Sequence, residues 1–325
     1  MRFTLLFILS ISILNATYVS QADRWKRVAQ PEQSATVWEI ELGKMLFFDK
    51  RLSLDSSVSC ASCHDPKSGW SDNRALSVGI HGKIGRRNSP TIVNSAYLTQ
   101  FFYDGRANSL EDQAMGPLED PREMGMSIDK LVERLSMIEG YRDLFKSAFG
   151  SKEINKERIL SALASFERTI ITPDAPFDLW VKGDENAITK AQKLGFELFV
   201  HRGRCDKCHS GFSFTNESFS NIGLEDRDDL GLYEIRKNRI WYASFKTPTL
   251  REITKTAPYF HNGSVATLKE AITICGNGGR KNATSRSPFF RDRALNQKEV
   301  EAIELFLETL VSEDIKIDIP TSFPK

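Results

Sequence analysis

Two short stretches, CASCH at residues 60–64 and CDKCH at residues 205–209, decide how this chain folds. Each is a Cys-x-x-Cys pair followed at once by histidine, which is the attachment pattern of c-type haem. One helical turn puts the two thiols on one face, where they can add to the porphyrin vinyl groups, and turns the next imidazole towards the iron. The chain is therefore predicted to carry two covalently bound haem c groups. The predicted attachment residues are Cys60, Cys63, His64, Cys205, Cys208 and His209.

Paired cysteines have two other common uses. A zinc site could take four thiolates, but it would have to join two widely separated pairs and would leave both adjacent histidines without a role. A redox-active dithiol is the second alternative, although neither pair lies between a predicted strand and a predicted helix. The histidines therefore favour haem attachment at both places.

Composition and the first residues indicate where the protein works. The 44 basic and 43 acidic side chains nearly cancel, so neither nucleic acid nor an anionic membrane surface is indicated as a partner. Residues 1–22 contain Arg2, an apolar run from Phe3 to Leu14 and a small residue, Ala22, at their end, which is typical of a cleaved secretory signal peptide. The apolar run is too short to span a bilayer. We expect a periplasmic protein with no membrane span after signal removal.

Similar sequences precede the two cysteine pairs. LGKMLFF begins at Leu42 and LGFELFV begins at Leu194. Leu42 and Leu46 in the first copy, and Leu194 and Leu198 in the second, have the spacing of one helical face. The repeat predicts two similar haem domains, and a chain of 325 residues is long enough for both.

Other stretches have the apolar period of amphipathic helices. They are residues 127–149, 155–170 and 296–310. Asn296 and Glu299 form a capping-box pattern at the start of the last one. Residues 171–184, with two prolines and a glycine, are interpreted as a linker. Almost no segment alternates as a strand does, so the fold class is mainly α, with long loops.

These stretches together resemble the bacterial di-haem cytochrome c peroxidases, in the superfamily that also contains the MauG-type di-haem enzymes. The similarity runs in the same order through LGKMLFFDKRLS, SCASCHDPKSGWSD, GRRNSPTIVNSAY, FFYDGRANSLEDQAMGP, CDKCHSG, FKTPTLREI, TAPYFHNGS and ICGNGG. It implies two cytochrome c-like haem domains, a peroxidatic one at residues 23–180 and an electron-transfer one at residues 181–325.

The resemblance also implies catalytic residues. One iron, with His64 as its proximal ligand, must keep an open position where hydrogen peroxide binds. Glu123 is then the group that moves a proton between the peroxide oxygens, and Gln113 is its polar neighbour. Tyr103 stands where the family usually has a tryptophan that carries electrons between the irons. Taken without the resemblance, Glu123 and Gln113 are ordinary solvated side chains and Tyr103 is an aromatic core residue.

His81 lies in the loop SVGIHGK, residues 77–83. Peroxidases of this family carry a histidine in the loop that blocks the peroxidatic iron until the other haem is reduced, whereas MauG-type members lack it. The alternative is a neutral imidazole on an exposed loop. If His81 binds iron, the resting enzyme needs an activating electron.

Cys275, in ICGNGG, is the odd one of five cysteines. The peroxidases have a methionine at this position, and MauG-type enzymes have a tyrosine followed by x-x-Gly-Gly, which Gly278 and Gly279 match. We expect Cys275 to bind the iron opposite His209. A thiolate favours ferric iron and would lower the potential of this haem. The alternative is a buried free thiol beside a haem whose sixth site is empty or taken by another side chain. His261 and His201 are the rival ligands, although the resemblance makes His261 a structural residue near the haem edge and His201 is expected on a helix surface.

The resemblance further implies a calcium ion between the domains. Its ligands would be Asn88 and the carbonyl oxygens of Thr256 and Pro258, and oxygen ligands of this kind are those that calcium prefers. The ion would hold the two domains in register and so fix the distance between the haems.

Three functions follow as alternatives. The first is a peroxidase that reduces hydrogen peroxide to water with electrons from a small cytochrome c or copper protein. The second is a MauG-like, peroxide-dependent oxidation of a protein or amino-acid side chain. The third is a di-haem electron carrier that is not an enzyme, which requires both irons to be permanently six-coordinate. A homodimer is a further option that the sequence leaves open.

Overall fold

Helices make up nearly all the regular structure of the protein. The computed structural model describes residues 22–224, 228–281, 283 and 285–325. Its α-helices are α1 Val37–Phe48, α2 Leu110–Glu119, α3 Ile128–Ser136, α4 Glu139–Phe149, α5 Lys156–Glu167, α6 Pro176–Val181, α7 Lys190–Glu197, α8 Tyr233–Arg236, α9 Leu268–Gly276 and α10 Gln297–Glu308. Two short strands, β1 Phe219–Ser220 and β2 Phe245–Lys246, pair antiparallel. The predicted mainly α class with long loops is confirmed.

Helix α10 begins as its sequence predicts. The side chain of Asn296 accepts a hydrogen bond from the backbone N–H of Glu299 at 3.1 Å, and the Glu299 carboxylate accepts one from the backbone N–H of Asn296 at 2.8 Å. This reciprocal capping satisfies two N–H groups that a helix otherwise leaves unpaired at its start. The predicted apolar face is buried. Its members are Val300, Ile303, Leu307 and Leu310.

The stretch 127–149 was expected to be one helix, and that expectation is wrong. The chain leaves the helical conformation at Ile138, which has φ −102° and ψ 106°, so α3 and α4 are separate. After the break Tyr141 is fully buried, and its hydroxyl donates to the Asp49 carboxylate at 2.6 Å. A buried phenol needs such a partner. Tertiary packing therefore overrides the continuous apolar period of this stretch.

The two largest hydrophobic cores among the described residues each involve several helices. The first is built from α1 to α5 with the residues around the first cysteine pair, and the second from α6, α7, α9 and α10. Each core also contains residues from the opposite end of the chain. Trp25, near the N-terminus, is fully buried in the second core, and Ile315 and Ile317, near the C-terminus, pack against the first. A domain boundary at residues 180 and 181 stays a prediction.

The segment 171–184, interpreted as a linker, is largely packed as far as Val181 and exposed at residues 182–184. Phe177 and Trp180, on α6, are fully buried in the second core. Aromatic side chains of this size contribute too much burial to be left in water. The prolines, which suggested a linker, stand before α6 and at its first position, where proline is tolerated.

The repeat before the two cysteine pairs corresponds to the same packing in each core. An added Cβ at Gly43 on α1 would lie 1.8 Å from the carbonyl oxygen of Ala162 on α5. An added Cβ at Gly195 on α7 would lie 1.9 Å from the carbonyl oxygen of Ala302 on α10. Each glycine therefore lets two helix backbones approach closely. The predicted pair of similar units is visible in these two helix crossings.

One detail of the repeat differs from the prediction. Leu194 was expected to share a helical face with Leu198, yet its side chain is 56% exposed, whereas Leu42 is fully buried. Phe196 and Phe199 are the buried members of the second copy. Phe199 corresponds to Phe47 of the first copy, which is also fully buried, whereas Phe196 stands where the first copy has Lys44.

We expect Gly43→Ala to destabilise the protein by about 2–3 kcal/mol, because the new methyl group meets a backbone oxygen that cannot rotate away. Gly85→Ala is the matched control, since its Cβ would come no nearer than 3.4 Å to another atom. It should change stability by about 0.5 kcal/mol or less. Urea unfolding followed by circular dichroism measures both. Equal midpoints for the two variants would contradict the close helix crossing.

Among the described residues, no helix is both long enough and apolar enough to cross a membrane. The predicted signal peptide lies outside the described residues except for Ala22. Ala22 is buried in the second core.

Candidate haem sites

The first cysteine pair is held in a single tight turn. Cys60–Ser62 is a 3₁₀ helix, and the backbone N–H of His64 donates to the carbonyl of Cys60 at 2.9 Å. The Nδ1 atom of His64 lies 3.2 Å from the carbonyl oxygen of Trp70. A carbonyl can only accept, so Nδ1 carries the proton and the Nε2 lone pair is left for a metal. Burial also lowers the pKa of His64, which keeps the ring neutral.

The second pair repeats this geometry. Cys205–Lys207 is again a 3₁₀ helix, and the backbone N–H of His209 donates to the carbonyl of Cys205 at 2.8 Å. Nδ1 of His209 lies 2.9 Å from the carbonyl oxygen of Phe214, which fixes the same tautomer. Burial lowers the pKa of His209 to about 4. Trp25 donates its ring N–H to the backbone carbonyl of His209 at 3.0 Å, which ties the N-terminal residues to this site.

The thiols fit covalent haem attachment. All five cysteines are free, and burial raises the pKa of Cys60 and Cys205 and brings that of Cys63 to about 11. Each site thus offers two neutral thiols in one turn and one neutral imidazole with a free Nε2, which is the donor set that haem c uses. Among the described residues, no group of three or more His, Cys, Asp or Glu is placed so that it could hold a metal ion.

Cys275 belongs to the second site. It lies near the C-terminal end of α9. Its pKa is raised to about 12, first by burial and then by the charge of Cys208, and Cys275 in turn contributes to the raised pKa of Cys205. Electrostatic effects of this kind fall off with distance, so they indicate that Cys275 is in the neighbourhood of the second cysteine pair. Ile272, one turn earlier on α9, belongs to the core against which Cys205 packs. The structure therefore brings the odd cysteine to the second cysteine pair.

The turn after Cys275 depends on its two glycines. Gly278 has φ +68° and Gly279 has φ +95°, a region that side chains rarely adopt. An added Cβ at Gly279 would lie 2.3 Å from the carbonyl oxygen of Ile222. The Gly-Gly pair thus lets the chain turn sharply beside the second site.

Glu123 lies beside the first site. Its backbone is fixed by two hydrogen bonds, from its N–H to Asp120 and from the N–H of Ile80 to its carbonyl. The side chain is half-buried, and burial followed by the charge of Asp120 raises the pKa of its carboxyl above the usual value. The charge of Glu123 also contributes to the raised pKa of Cys63, so the carboxyl is near the first cysteine pair.

Gln113 is half-buried on α2. The loop that carries Glu123 returns to the same helix, because the backbone N–H groups of Met124 and Met126 donate to the carbonyls of Pro117 and Leu118 at 3.1 and 2.7 Å. Gln113 and Glu123 therefore stand on two segments that are bonded to each other.

The structure places His81 on the surface. Its side chain is 57% exposed, and Nδ1 lies 3.2 Å from the Asp55 carboxylate. The residue has φ +55°, and its neighbour Ile80 is the one bonded to Glu123. In this conformation the imidazole faces Asp55. Iron ligation by His81 stays a prediction that requires the loop to move.

Tyr103 lies where the two halves of the chain meet. Its carbonyl accepts a hydrogen bond from the backbone N–H of Lys246 at 2.7 Å, and its ring centroid is 6.4 Å from that of His261. His261 stacks on Phe245 with centroids 3.5 Å apart. Burial raises the pKa of the phenol, and Arg87 partly offsets this. Of these rings, Phe245 was not singled out from the sequence, although it opens the stretch FKTPTLREI.

Arg87 was not singled out from the sequence either, although it lies in the stretch GRRNSPTIVNSAY. Its guanidinium contacts the Asp104 carboxylate at 2.6 Å and the Asp229 carboxylate at 2.6 Å, and all three side chains are mostly buried. Asp104 and Asp229 come from different halves of the chain. The ion pairs therefore help to hold Tyr103, which precedes Asp104, against the second half.

The three predicted calcium ligands come from segments that touch. The backbone N–H of Asn88 donates to the carbonyl of His261 at 2.8 Å, and Thr256 and Pro258 belong to the same loop as His261. The amide nitrogen of Asn88 donates to the carbonyl of Arg74 at 2.7 Å, which leaves the amide oxygen available to a cation. The donors fit the oxygen ligands of calcium, and the site stays a prediction.

The fold and the paired thiol–imidazole sites define a mainly helical c-type cytochrome with two haem-attachment sites. The family profile described as "Di-haem cytochrome c peroxidase" matches residues 38–186. A second profile, "RoxA-like, cytochrome c-like", matches residues 244–274.

Individual relatives extend the match over most of the chain. The chain is 43% identical to the methylamine utilization protein MauG of Methylorubrum extorquens, over 87% of this chain and 80% of the relative. It is 37% identical to the cytochrome c551 peroxidase of Nitrosomonas europaea, over 86% and 82%. A crystal structure of a MauG-like protein associated with microbial copper homeostasis superposes with TM-score 0.80 at 31% identity, over 89% and 93%. The chain belongs to the di-haem cytochrome c peroxidase and MauG family, whose members are di-haem oxidoreductases.

Proposed function

We propose that this protein is a periplasmic peroxidase, which reduces hydrogen peroxide to water with electrons from a small cytochrome c or copper protein. The observation that carries the proposal is the position of Glu123. Its half-buried carboxyl, with a raised pKa, stands near the cysteine pair that precedes His64. A carboxyl of this kind beside an open iron is what peroxide cleavage needs.

The chain's own residues handle the proton. Cys60, Cys63 and His64 would hold the haem, and the haem would supply the electrons for cleavage of the O–O bond. Ionised Glu123 accepts the proton from one peroxide oxygen and returns it to the other, which leaves as water. Two electrons and two further protons complete the conversion of one peroxide to two waters. Gln113, on the bonded helix, is the neighbour that would orient the peroxide.

Electrons reach the first site from the second in this proposal. Tyr103 is supported as the intermediate because it lies at the junction of the two halves and within ring contact of His261. Oxidation of a phenol releases its proton, and the raised pKa of Tyr103 opposes that release. Passage through Tyr103 therefore requires a proton acceptor. Calcium bound by Asn88, Thr256 and Pro258 would keep the two halves at a fixed distance.

A MauG-like oxidation of a protein or amino-acid side chain is the second candidate. It is supported by the 43% identity to a MauG protein and by the Gly278–Gly279 turn after Cys275. An anionic ligand at the second haem favours high oxidation states. This would suit storage of oxidising equivalents better than simple electron uptake. The family assignment speaks against the third alternative, a carrier that is not an enzyme.

A ligand exchange tests the role of Cys275. We expect Cys275→Met to raise the reduction potential of the second haem, because a neutral thioether favours ferrous iron more than a thiolate does. Cys275→Ala is the companion variant and should convert the low-spin ferric signal of this haem to a high-spin one. Electron paramagnetic resonance and redox titration of the holoprotein measure both. A low-spin signal unchanged in both variants would show that Cys275 does not bind iron.

Steady-state kinetics separates the candidate functions. The holoprotein is mixed with hydrogen peroxide and a reduced small cytochrome c, and oxidation of the cytochrome is followed by its absorbance. Turnover in the ratio of two cytochromes per peroxide supports the peroxidase. Peroxide consumption that modifies a partner protein, detected by mass spectrometry, without cytochrome turnover supports the second candidate. If peroxide perturbs neither haem in any redox state, both proposals are wrong.

A further inference from the structure

Positive charge is concentrated on one part of the surface, which we call the basic face and define as residues 236–242, 280, 281, 283 and 285–293. These segments contain eight cationic residues and only one acidic residue, Asp292. The whole chain has a net charge of only +1, so the concentration is local. The cationic residues are Arg236, Lys237, Arg239, Arg280, Lys281, Arg286, Arg291 and Arg293. All are exposed except Arg293, which is half-buried.

The two segments form one continuous surface. They line a common cavity of about 420 Å³, to which the first segment contributes Arg239 and Ile240 and the second contributes Arg286 and Pro288. Asn221 connects the two segments, because its side-chain amide donates to the carbonyl of Tyr242 at 3.2 Å and its backbone carbonyl accepts from the N–H of Ser287 at 2.9 Å. Each segment therefore contributes one arginine to the lining of the cavity.

Large apolar side chains stand among these charges. Ile240 is 71% exposed, Phe289 is 60% exposed and Tyr242 is 40% exposed. Exposed aromatic residues mixed with arginine are typical of protein–protein interfaces, whereas a surface that only keeps the protein soluble has no need of them. None of the eight cationic residues forms an ion pair with another described residue. Their charge is therefore available to a partner.

The basic face adjoins the second haem site. Arg286 donates through its guanidinium to the carbonyl of Gly278 at 2.5 Å, and the backbone N–H of Gly278 donates to the carbonyl of Cys275 at 3.2 Å. Cys275 lies on α9, whose Ile272 is part of the second core against which Cys205 packs. The surface residue Arg286 is therefore connected to Cys275 through Gly278, by one side-chain hydrogen bond and one backbone hydrogen bond. A redox protein seated here would be near the haem that receives electrons.

We propose that the basic face docks an acidic redox protein, with a carboxylate of that protein entering the cavity that Arg239 and Arg286 line. The proposal names the electron donor's chemistry and so rests on the proposed peroxidase function. Opposite charge on the two proteins steers their encounter, and the exposed aromatic side chains supply the contact area. A donor with a basic contact surface is repelled from the same face.

One cytochrome in two charge states provides the probe. Native mitochondrial-type cytochrome c is basic, and succinylation of its lysines makes it acidic while the haem stays the same. At low ionic strength we expect the holoprotein to bind the succinylated form at least about tenfold more tightly than the native form, and added salt should remove the difference. Binding is measured by fluorescence anisotropy of a labelled cytochrome in the absence of peroxide.

Charge reversal locates the surface. The double variant Lys237→Glu/Lys281→Glu should weaken binding of the succinylated cytochrome about tenfold or more. Lys130→Glu/Lys156→Glu, at exposed positions of α3 and α5, makes the same change of net charge and should alter binding less than about twofold. Equal loss in both double variants, or tighter binding of the native basic cytochrome, overturns the proposal.

The binding test is independent of the proposed function. If succinylated cytochrome binds the wild type and the control variant but not Lys237→Glu/Lys281→Glu, the docking surface stands even where peroxide turnover is absent. In that case the peroxidase proposal fails alone. If turnover with succinylated cytochrome is rapid and equally fast in the two double variants, the peroxidase stands and the docking surface is wrong.

Discussion

Glu123→Gln should lower kcat/KM for hydrogen peroxide by about 10²- to 10⁴-fold, which is the range that a positioned acid/base group supplies. Glutamine keeps the size and the polar contacts of the side chain but cannot take up a proton. The half-buried position near Cys63 is retained, so peroxide can still reach the site. Steady-state kinetics with a small neutral reductant measures this loss of kcat/KM without the docking of a protein electron donor.

The role of Glu123 also predicts the direction in which kcat/KM for hydrogen peroxide changes with pH. Burial and the charge of Asp120 raise the pKa of Glu123 above the usual value. Its ionised form is the one that accepts a proton from peroxide, so kcat/KM should fall as the pH drops through this raised pKa. The acidic limb of the profile should therefore lie at higher pH than for an ordinary glutamate, and Glu123→Gln should remove it.

Glu133→Gln is the matched control, because Glu133 is exposed on α3. It should leave both kcat/KM and the acidic limb unchanged. If Glu123→Gln retains wild-type kcat/KM, or keeps the acidic limb, Glu123 is not the proton acceptor. The far-ultraviolet circular dichroism of both variants should match that of the wild type, which separates loss of chemistry from loss of fold.

Arg251→Met should destabilise the second core by about 3–5 kcal/mol, the usual cost of breaking a buried ion pair on one side. The guanidinium donates to both oxygens of Asp178 at 2.7 and 2.8 Å and to the carbonyl of Phe212 at 2.8 Å. The two charged side chains are 1% and 2% exposed. Methionine can fill the volume between the neighbouring rings, but the Asp178 carboxylate then stays buried, and its remaining partner among the described residues is the backbone N–H of Ala175.

Two further variants separate charge from packing. Arg251→Met/Asp178→Asn should recover part of the lost stability, because no charge remains in the core. Arg142→Met removes a guanidinium from an exposed pair with Glu139 and should leave the unfolding midpoint unchanged. Urea unfolding of the holoprotein measures all three. If Arg251→Met unfolds at the same urea concentration as Arg142→Met, the buried ion pair between Arg251 and Asp178 does not contribute to the stability of the second core.

The haem sites were largely predictable because their geometry is local. The two cysteines and the histidine of each motif lie within five residues, and one turn, closed by the bond from the His64 N–H to the Cys60 carbonyl, brings them together. The start of α10 was predictable for the same reason, since Asn296 and Glu299 are three residues apart. Periodic apolar residues predicted α5 as well.

Other parts of the site needed the family resemblance. Glu123 and Gln113 are single polar residues with no distinctive neighbours, and only the match to related sequences suggested their roles. The residues around Glu123 are compatible with an exposed loop, and those around Gln113 with an ordinary helix. The structure adds the burial of Glu123 and its nearness to Cys63, which no spacing rule supplies.

The sequence by itself therefore determined the helical class, the two haem-attachment turns and the helix boundary at Asn296, because hydrogen bonds between near neighbours and helical periodicity act within a few residues. Only the tertiary structure decided which distant groups meet. Arg87 reaches Asp229 from 142 positions away, and α3 and α4 separate at Ile138 where the continuous period predicted one helix. Such contacts depend on how whole helices pack, since close packing admits few arrangements of large side chains and no short stretch encodes them alone.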